Sequence, residues 1–171
     1  MSNEEKRTLK AMEREREQEY LAFIEENKRI IYKVCYLYAA DEEEMKDLRQ
    51  EVLINLWKGY PQFKGTAQLS TWIYRVSLNT CITFCKKLRN KEESLPIESL
   101  LAVIDDNSKT EHLREMYRLI YQLNRMEKAI ILMWLDERSY EEIAEVCGMP
   151  RNTIATKLRR IKEKLTKLAN E

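Results

Sequence analysis

Glycine and proline are nearly missing from this chain, three of each in 171 residues. A β-rich fold needs turn residues at short intervals, so their scarcity argues for long helices, as do abundant Leu, Glu, Lys and Arg. Histidine is rarer still, with His112 the sole example. There is no Gly-rich phosphate loop and no histidine-supported nucleophile, so no catalytic residues are expected and an enzyme has little to stand on. Cys81 and Cys85 lie four apart and could offer two thiolates to one side of a helix. With one histidine and no Cys-x-x-Cys pair, however, neither a metal nor another cofactor is expected. These two, with Cys35 and Cys147, sit inside apolar helical patterns and read as reduced, mostly buried thiols. No apolar run approaches the ~20 residues of a membrane span, and the charged N-terminus has no secretory core. No membrane span and a cytoplasmic address follow as expectations.

Acid is absent from a long central stretch. Val52 to Lys91 contains no Asp or Glu, while Lys58, Lys64, Arg75, Lys86, Lys87, Arg89 and Lys91 give it +7. The overall net charge of +1 conceals this segregation. Asp41 to Glu51 carries six acids against Lys46 and Arg49, and Glu92 to Glu111 six against Lys109. Such blocks suggest two cationic, DNA-facing surfaces separated by an acidic stretch.

What is present is helical periodicity. Residues 1–16 are charged with little apolar content, and a frayed helix or disorder is expected there. From Tyr20, the residues Leu21, Phe23, Ile24, Ile30, Ile31, Val34, Cys35, Leu37 and Tyr38 recur at helical spacing. Asp41 can cap a second helix with Met45, Leu48, Val52, Leu53, Leu56 and Trp57 inward. Gly59-Tyr60-Pro61-Gln62-Phe63-Lys64-Gly65 ends it. Ser70 is expected to cap a third helix from Thr71 to about Asn90. This gives an all-α chain of two small helical domains joined by a flexible acidic linker. The boundaries are an extension at 1–16, a first domain at 17–91, a linker at 92–111 and a helix-turn-helix domain at 112–171.

In the last third, Ser139 and Glu142 fit a capping box at a helix start. Gly148 suits the turn that follows, and Pro150 the first turn of a new helix. Ile154, Leu158, Ile161, Leu165 and Leu168 then form one stripe. Asn152, Thr156, Arg159, Arg160 and Glu163 face outward, side-chain types that reach phosphates and base edges. Between Gly148 and Leu168 seven basic residues (Arg151, Lys157, Arg159, Arg160, Lys162, Lys164, Lys167) stand against Glu163 alone. That pattern points to DNA. The third helix adds aromatic Trp72, Tyr74 and Phe84, base-edge partners Asn79, Thr80 and Thr83, and the basic run Lys86-Lys87-Leu88-Arg89. Aromatic faces can stack on bases that have left the duplex, although Trp72 and Phe84 are equally at home in a core.

The order of these motifs resembles a known family. Asp47-Leu48-Arg49-Gln50-Glu51-Val52-Leu53-Ile54-Asn55-Leu56-Trp57, then Phe63-Lys64-Gly65, then Ser70 to Asn79 are similar to the core-binding and promoter-melting segments of bacterial RNA polymerase sigma factors. Within the sigma-70 family the match is to the small extracytoplasmic-function (ECF, group 4) type. The Ser139–Ala144 helix and the Thr153–Arg160 helix resemble that group's upstream-element reader, so the resemblance spans about Tyr20 to Leu168. It implies that Asp47, Gln50, Glu51 and Asn55 dock on the polymerase clamp, with Trp57 packing internally. It assigns the Phe63–Ser70 loop, Trp72 and Asn79 to a flipped base of the −10 element, and Thr83, Lys86, Lys87 and Arg89 to the adjoining strand. Thr156, Arg159 and Arg160 would read the −35 element, with Arg151, Thr153 and Lys157 on phosphate. The implied partners are core RNA polymerase (β′ clamp and β flap), promoter DNA and an anti-sigma factor, with the acidic linker threading toward the RNA channel. Thr83 stands where many relatives carry an acid, and Pro150 replaces a small polar cap. The residues alone also admit a stand-alone helix-turn-helix regulator with a dimerisation or sensor domain, or a polymerase-binding adaptor that reads no promoter.

Overall fold

The computed structural model describes residues 2–63, 68–88 and 111–171, and among these every regular element is helical. Lys64, Gly65, Arg89, Lys91 and the linker expected at 92–111 (but for Glu111) lie outside the described residues.

Helix α1 runs unbroken from Asn3 to Tyr38. Residues 1–16 were expected to fray, but a reciprocal capping box starts this helix at Asn3. The Glu5 N–H donates to Ser2 Oγ (3.2 Å), and the Ser2 N–H donates to the Glu5 carboxylate (2.6 Å). Glu4 and Glu5 also offset the positive end of the helix dipole. From Asn3 to Glu19 every residue is exposed; burial begins at Tyr20. Leu21, placed in the apolar pattern, is 65% exposed.

Asp41 caps α2 (Glu42–Gly59), accepting from the Glu44 N–H at 2.8 Å. Met45, Leu48, Val52 and Leu56 form its buried stripe. A short 3-10 turn, Tyr60–Gln62, follows. A Cβ added to Gly59 would meet the Trp72 ring at 3.0 Å, which explains the bare residue there. Helix α3 spans Leu69–Leu88, so Ser70 lies inside the helix and does not cap it; its Oγ accepts a hydrogen bond from Arg138 (2.7 Å). Val34, Cys35, Leu48, Val52, Leu56, Ile73 and Cys81 form the fully buried centre of this three-helix unit.

The second unit has four helices: α4 (Glu111–Tyr121), α5 (Arg125–Leu135), α6 (Tyr140–Cys147) and α7 (Arg151–Ala169). Capping boxes start α5 (Asn124 with Glu127) and α6 (Ser139 with Glu142). Gly148 ends α6 at φ 65°, a left-handed conformation that glycine adopts without a Cβ clash. Pro150 is extended and sits just before α7, one place earlier than the first helical turn. Between α5 and α6 the left-handed position is filled by Glu137 (φ 58°), and the Arg138 N–H closes the turn on the Met133 carbonyl at 3.0 Å. That turn aims Asp136 and Arg138 at the first unit. The two units touch there, α5 against α1 and α6 against α3.

Candidate nucleic-acid interface

Helix α7 presents its cations because its stripe is narrow. Ile154, Leu158 and Ile161 are buried, Leu165 and Leu168 half-buried, and Asn152, Thr156, Lys157, Arg159 and Arg160 exposed. Thr153 is half-buried. The exposed cations are not equivalent. Arg159 is paired with Glu163 (2.7 Å), and Arg151 with Glu141 (2.5 Å) while lying over the Tyr140 ring at 5.2 Å. The Glu141 carboxyl is held below its usual range, first by its own backbone N–H at the helix start and then by Arg151. Lys157 and Arg160 have no ion-pair partner among the described residues. Lys162 instead rests on the Trp134 ring at 3.8 Å, directed at α5. The Thr156 hydroxyl donates to the Asn152 carbonyl (3.1 Å), and the residue is exposed.

The residues expected on the −10 strand gather along α3. A groove of about 560 Å³ between α2 and α3 is lined by Glu51, Asn55, Asn79, Thr83, Phe84 and Lys87. Asn79 and Thr83 are exposed on its wall, one turn apart, with Lys86 and Lys87 beyond them. The half-buried Phe84 also lines it. Asn55 belongs to this groove: its amide donates to Thr80 Oγ1 (3.0 Å), whereas Asp47, Gln50 and Glu51 are exposed on α2. Trp72 lies seven residues before Asn79, about 10 Å along the helix. It is half-buried in an aromatic cluster, 5.0 Å from Phe63 and 6.1 Å from Phe23. Trp57 is held between Tyr20 (4.9 Å) and the Arg16 guanidinium (4.7 Å). Cys81 and Cys85 are in the core, and the Cys81 thiol is pushed up by its hydrogen bond with Cys35 and by burial. Such thiols are inert packing groups.

Tyr74 departs from expectation. It is fully buried, and its hydroxyl donates to the Asp136 carboxylate on α5's end, so it cannot stack on a base. Lys33 of α1 meets the same carboxylate. Around this point the Arg138 guanidinium lies 5.3 Å over the Tyr74 ring, Thr71 Oγ1 donates to Glu142 (3.4 Å), and Arg75 pairs with Glu145 (2.6 Å). On the α1 side, Tyr121 donates to the Tyr36 carbonyl, Tyr38 donates to the Arg125 carbonyl (2.6 Å), and the Lys128 ammonium sits 4.9 Å over the Tyr121 ring. Burial pushes the phenols of Tyr36, Tyr38, Tyr74 and Tyr121 above their ordinary value of 10. Sequence reasoning missed this seam. Its one trace was the density of tyrosine at Tyr32, Tyr36 and Tyr38.

Both units match known protein families. The Sigma-70 region 2 family matches residues 23–91, and the Sigma-70 region 4 family matches residues 113–165. The ECF RNA polymerase sigma factor SigW of Bacillus subtilis is 26% identical over 155 residues, covering 80% of this chain and 81% of that protein. SigG of Mycobacterium tuberculosis, also an ECF sigma factor, is 34% identical over 77 residues; the match covers 45% of this chain and only 21% of SigG. Among solved structures, the sigma factor RpoE in complex with the anti-sigma factor NepR from Bartonella quintana superposes with a TM-score of 0.67. It is 18% identical, covers 87% of this chain and 97% of that one, and establishes likeness of fold.

Proposed function

Since the chain belongs to the sigma-70 family, matched in both its region 2 and its region 4, we propose that it is an ECF-type sigma factor. In this reading it binds core RNA polymerase in the cytoplasm, reads −10 and −35 promoter elements and assists strand opening, with no catalytic chemistry of its own. The observation that carries it is the pairing of an open cationic helix, α7, with a groove between α2 and α3 lined by Asn79, Thr83 and Lys87. Strand opening costs a few kcal/mol of unstacking, and a protein without an ATP site offsets it by holding the opened strand. Asn79 and Thr83 are the hydrogen-bonding groups for a captured base. Lys86, Lys87 and Arg89 serve the following phosphates, and Trp72 with Phe63 forms the upstream aromatic wall. On α7, Thr156, Arg159 and Arg160 face base edges, with Arg151, Thr153 and Lys157 toward the backbone.

Polymerase contact falls to other surfaces. Asp47, Gln50 and Glu51 make an exposed acidic face on α2 suited to the β′ clamp, flanked by Asn55. An apolar groove of about 570 Å³, with Met116, Leu119, Trp134, Leu135 and Leu165, suits a helix of the β flap. The complex of RpoE with NepR makes an anti-sigma factor a reasonable further partner. In vitro transcription with core polymerase and genomic fragments tests the function: promoter-specific transcripts are expected, and their absence sinks it. Replacing Asp47 and Glu51 by Lys should weaken core association roughly tenfold or more, since like-charge juxtaposition costs several kcal/mol. A pull-down, with circular dichroism to show intact helices, measures it.

A further inference from the structure

We propose that Asn152 is a specificity-determining residue of α7, taking an adenine in the major groove of the upstream promoter element. The proposal rests on the functional reading above and deepens it, since that reading gives Asn152 no role.

Asn152 has no structural occupation. It is exposed, and its side chain makes no hydrogen bond among the described residues; only its carbonyl is used, accepting from the Thr156 hydroxyl at 3.1 Å. Helix α7 starts at Pro150 without a side-chain cap, so the Asn152 amide does not serve as one. Asparagine is among the poorer helix formers, and here no bond offsets that cost.

Its direction suits DNA. Ile154, Leu158 and Ile161 mark the buried side of α7. At about 100° per residue, Asn152 and Thr156 point within about 30° of the opposite direction, with Arg151 and Lys157 to either side. The neighbours are committed elsewhere. Arg151 pairs with Glu141 and covers the Tyr140 ring, Arg159 pairs with Glu163, and Ala155 has no polar side-chain atom. Asn152 carries the only side-chain amide in the helix.

An amide sets a donor beside an acceptor, which matches adenine N7 and N6 in the major groove as Arg matches guanine. A side chain this short reaches a base edge only where the backbone comes close. In helix-turn-helix docking the early residues of the second helix do so, and Asn152 is the second residue of α7. The rise from Asn152 to Arg160 is about 12 Å, or roughly three to four base-pair steps at about 3.4 Å each. The adenine therefore falls about three or four pairs from the base that Arg160 takes.

The full chain with core polymerase, transcribing templates randomised across the −35 element, tests this. Wild type should select adenine at one position, about three or four pairs from the guanine whose selection Arg160→Ala abolishes. Asn152→Ala should lower that adenine preference roughly tenfold, leave the other positions alone and unfold at the wild-type temperature. Asn152→Gln, which keeps the amide, should retain part of the preference. A template whose adenine lacks N7 should cost wild type about what Asn152→Ala costs, and cost Asn152→Ala nothing further. The assignment is overturned if Asn152→Ala selects the same sequences as wild type, or if it weakens all sequences alike, which marks a phosphate contact. Promoter selection by wild type at the other positions then still supports the sigma reading. If wild type yields no promoter-specific transcript, the sigma reading falls first, and this assignment with it.

Discussion

Helices α3 and α7 are nearly the same length, 20 and 19 residues, and both carry exposed cations, at the C-terminal end of α3 and all along α7, yet they live in different surroundings. Helix α7 buries only Ile154, Leu158 and Ile161 and leaves the rest of its circumference to solvent. Helix α3 buries seven residues, from Thr71 to Cys85, because α1 and α2 cover one side and α6 covers another. A helix buried on one stripe declares its outward residues through its own period. A helix covered twice does not, since the second cover comes from distant sequence. Helix α7 stands open, and helix α3 is partly shuttered.

The sharpest way to break this comparison is to remove the open part of α3. Asn79→Ala, and separately Lys86→Ala with Lys87→Ala, should each lower open-complex formation on duplex promoter by about 10- to 100-fold, the effect of 1–3 kcal/mol of lost base or phosphate contact. Core binding should hold, and a pre-melted bubble template should rescue most of the loss. Permanganate reactivity of exposed thymines reads the outcome, and wild-type opening by all variants would return this face to mere solvation.

On α7 the comparison sharpens within one helix. Arg160 has no ion-pair partner among the described residues, whereas Arg159 is held by Glu163. Arg160→Ala should cost about 1–3 kcal/mol of base discrimination and alter which −35 sequences are accepted. Arg159→Ala should cost less, because Glu163 already competes for its guanidinium. Binding profiles across a library of −35 sequences measure both.

The covered side of α3 predicts a pH dependence. Burial raises the Tyr74 phenol above 10, followed by its bond to Asp136, and burial likewise raises Tyr36, Tyr38 and Tyr121. A phenol whose folded value lies above its unfolded one contributes stability that is complete below pH 10. That contribution is lost as pH climbs from there toward the folded value. Urea midpoints should therefore hold up to about pH 10 and fall as pH rises above it, and Tyr74→Phe should flatten the slope. The smallest expected effect is at the α5–α6 turn. Glu137→Gly relieves a left-handed residue worth ~1 kcal/mol but loosens the unfolded chain, for a net gain of about 0.5 kcal/mol in denaturant unfolding.

Much of the fold could be read from local signals. Asp41 and Ser139 cap as expected, Gly148 turns as expected, and the stripes of α2 and α7 follow their sequence periods. These are short-range effects, governed by residues within one or two turns. The misses were not local. Ser70 looked like a cap because nothing in its neighbourhood announces Arg138, 68 residues away. Tyr74 looked like a stacking ring because Asp136 lies 62 residues on. The charged stretch before Tyr20 looked too polar to fold, yet a capping box and good helix formers were enough to carry a helix without a core.

That same stretch has a thermal consequence. Helix α1 is about 54 Å long at 1.5 Å per residue, and its outer half, Asn3 to Glu19, touches the body chiefly through Arg16 on Trp57. A segment that short is marginal in water without tertiary support, so it melts as a zipper from its free end while the packed units remain intact. Helical signal lost on gentle warming thus belongs to α1's overhang. Ellipticity alone understates the cooperativity of the remaining chain, and a two-state fit to it would report a transition broader than the true one.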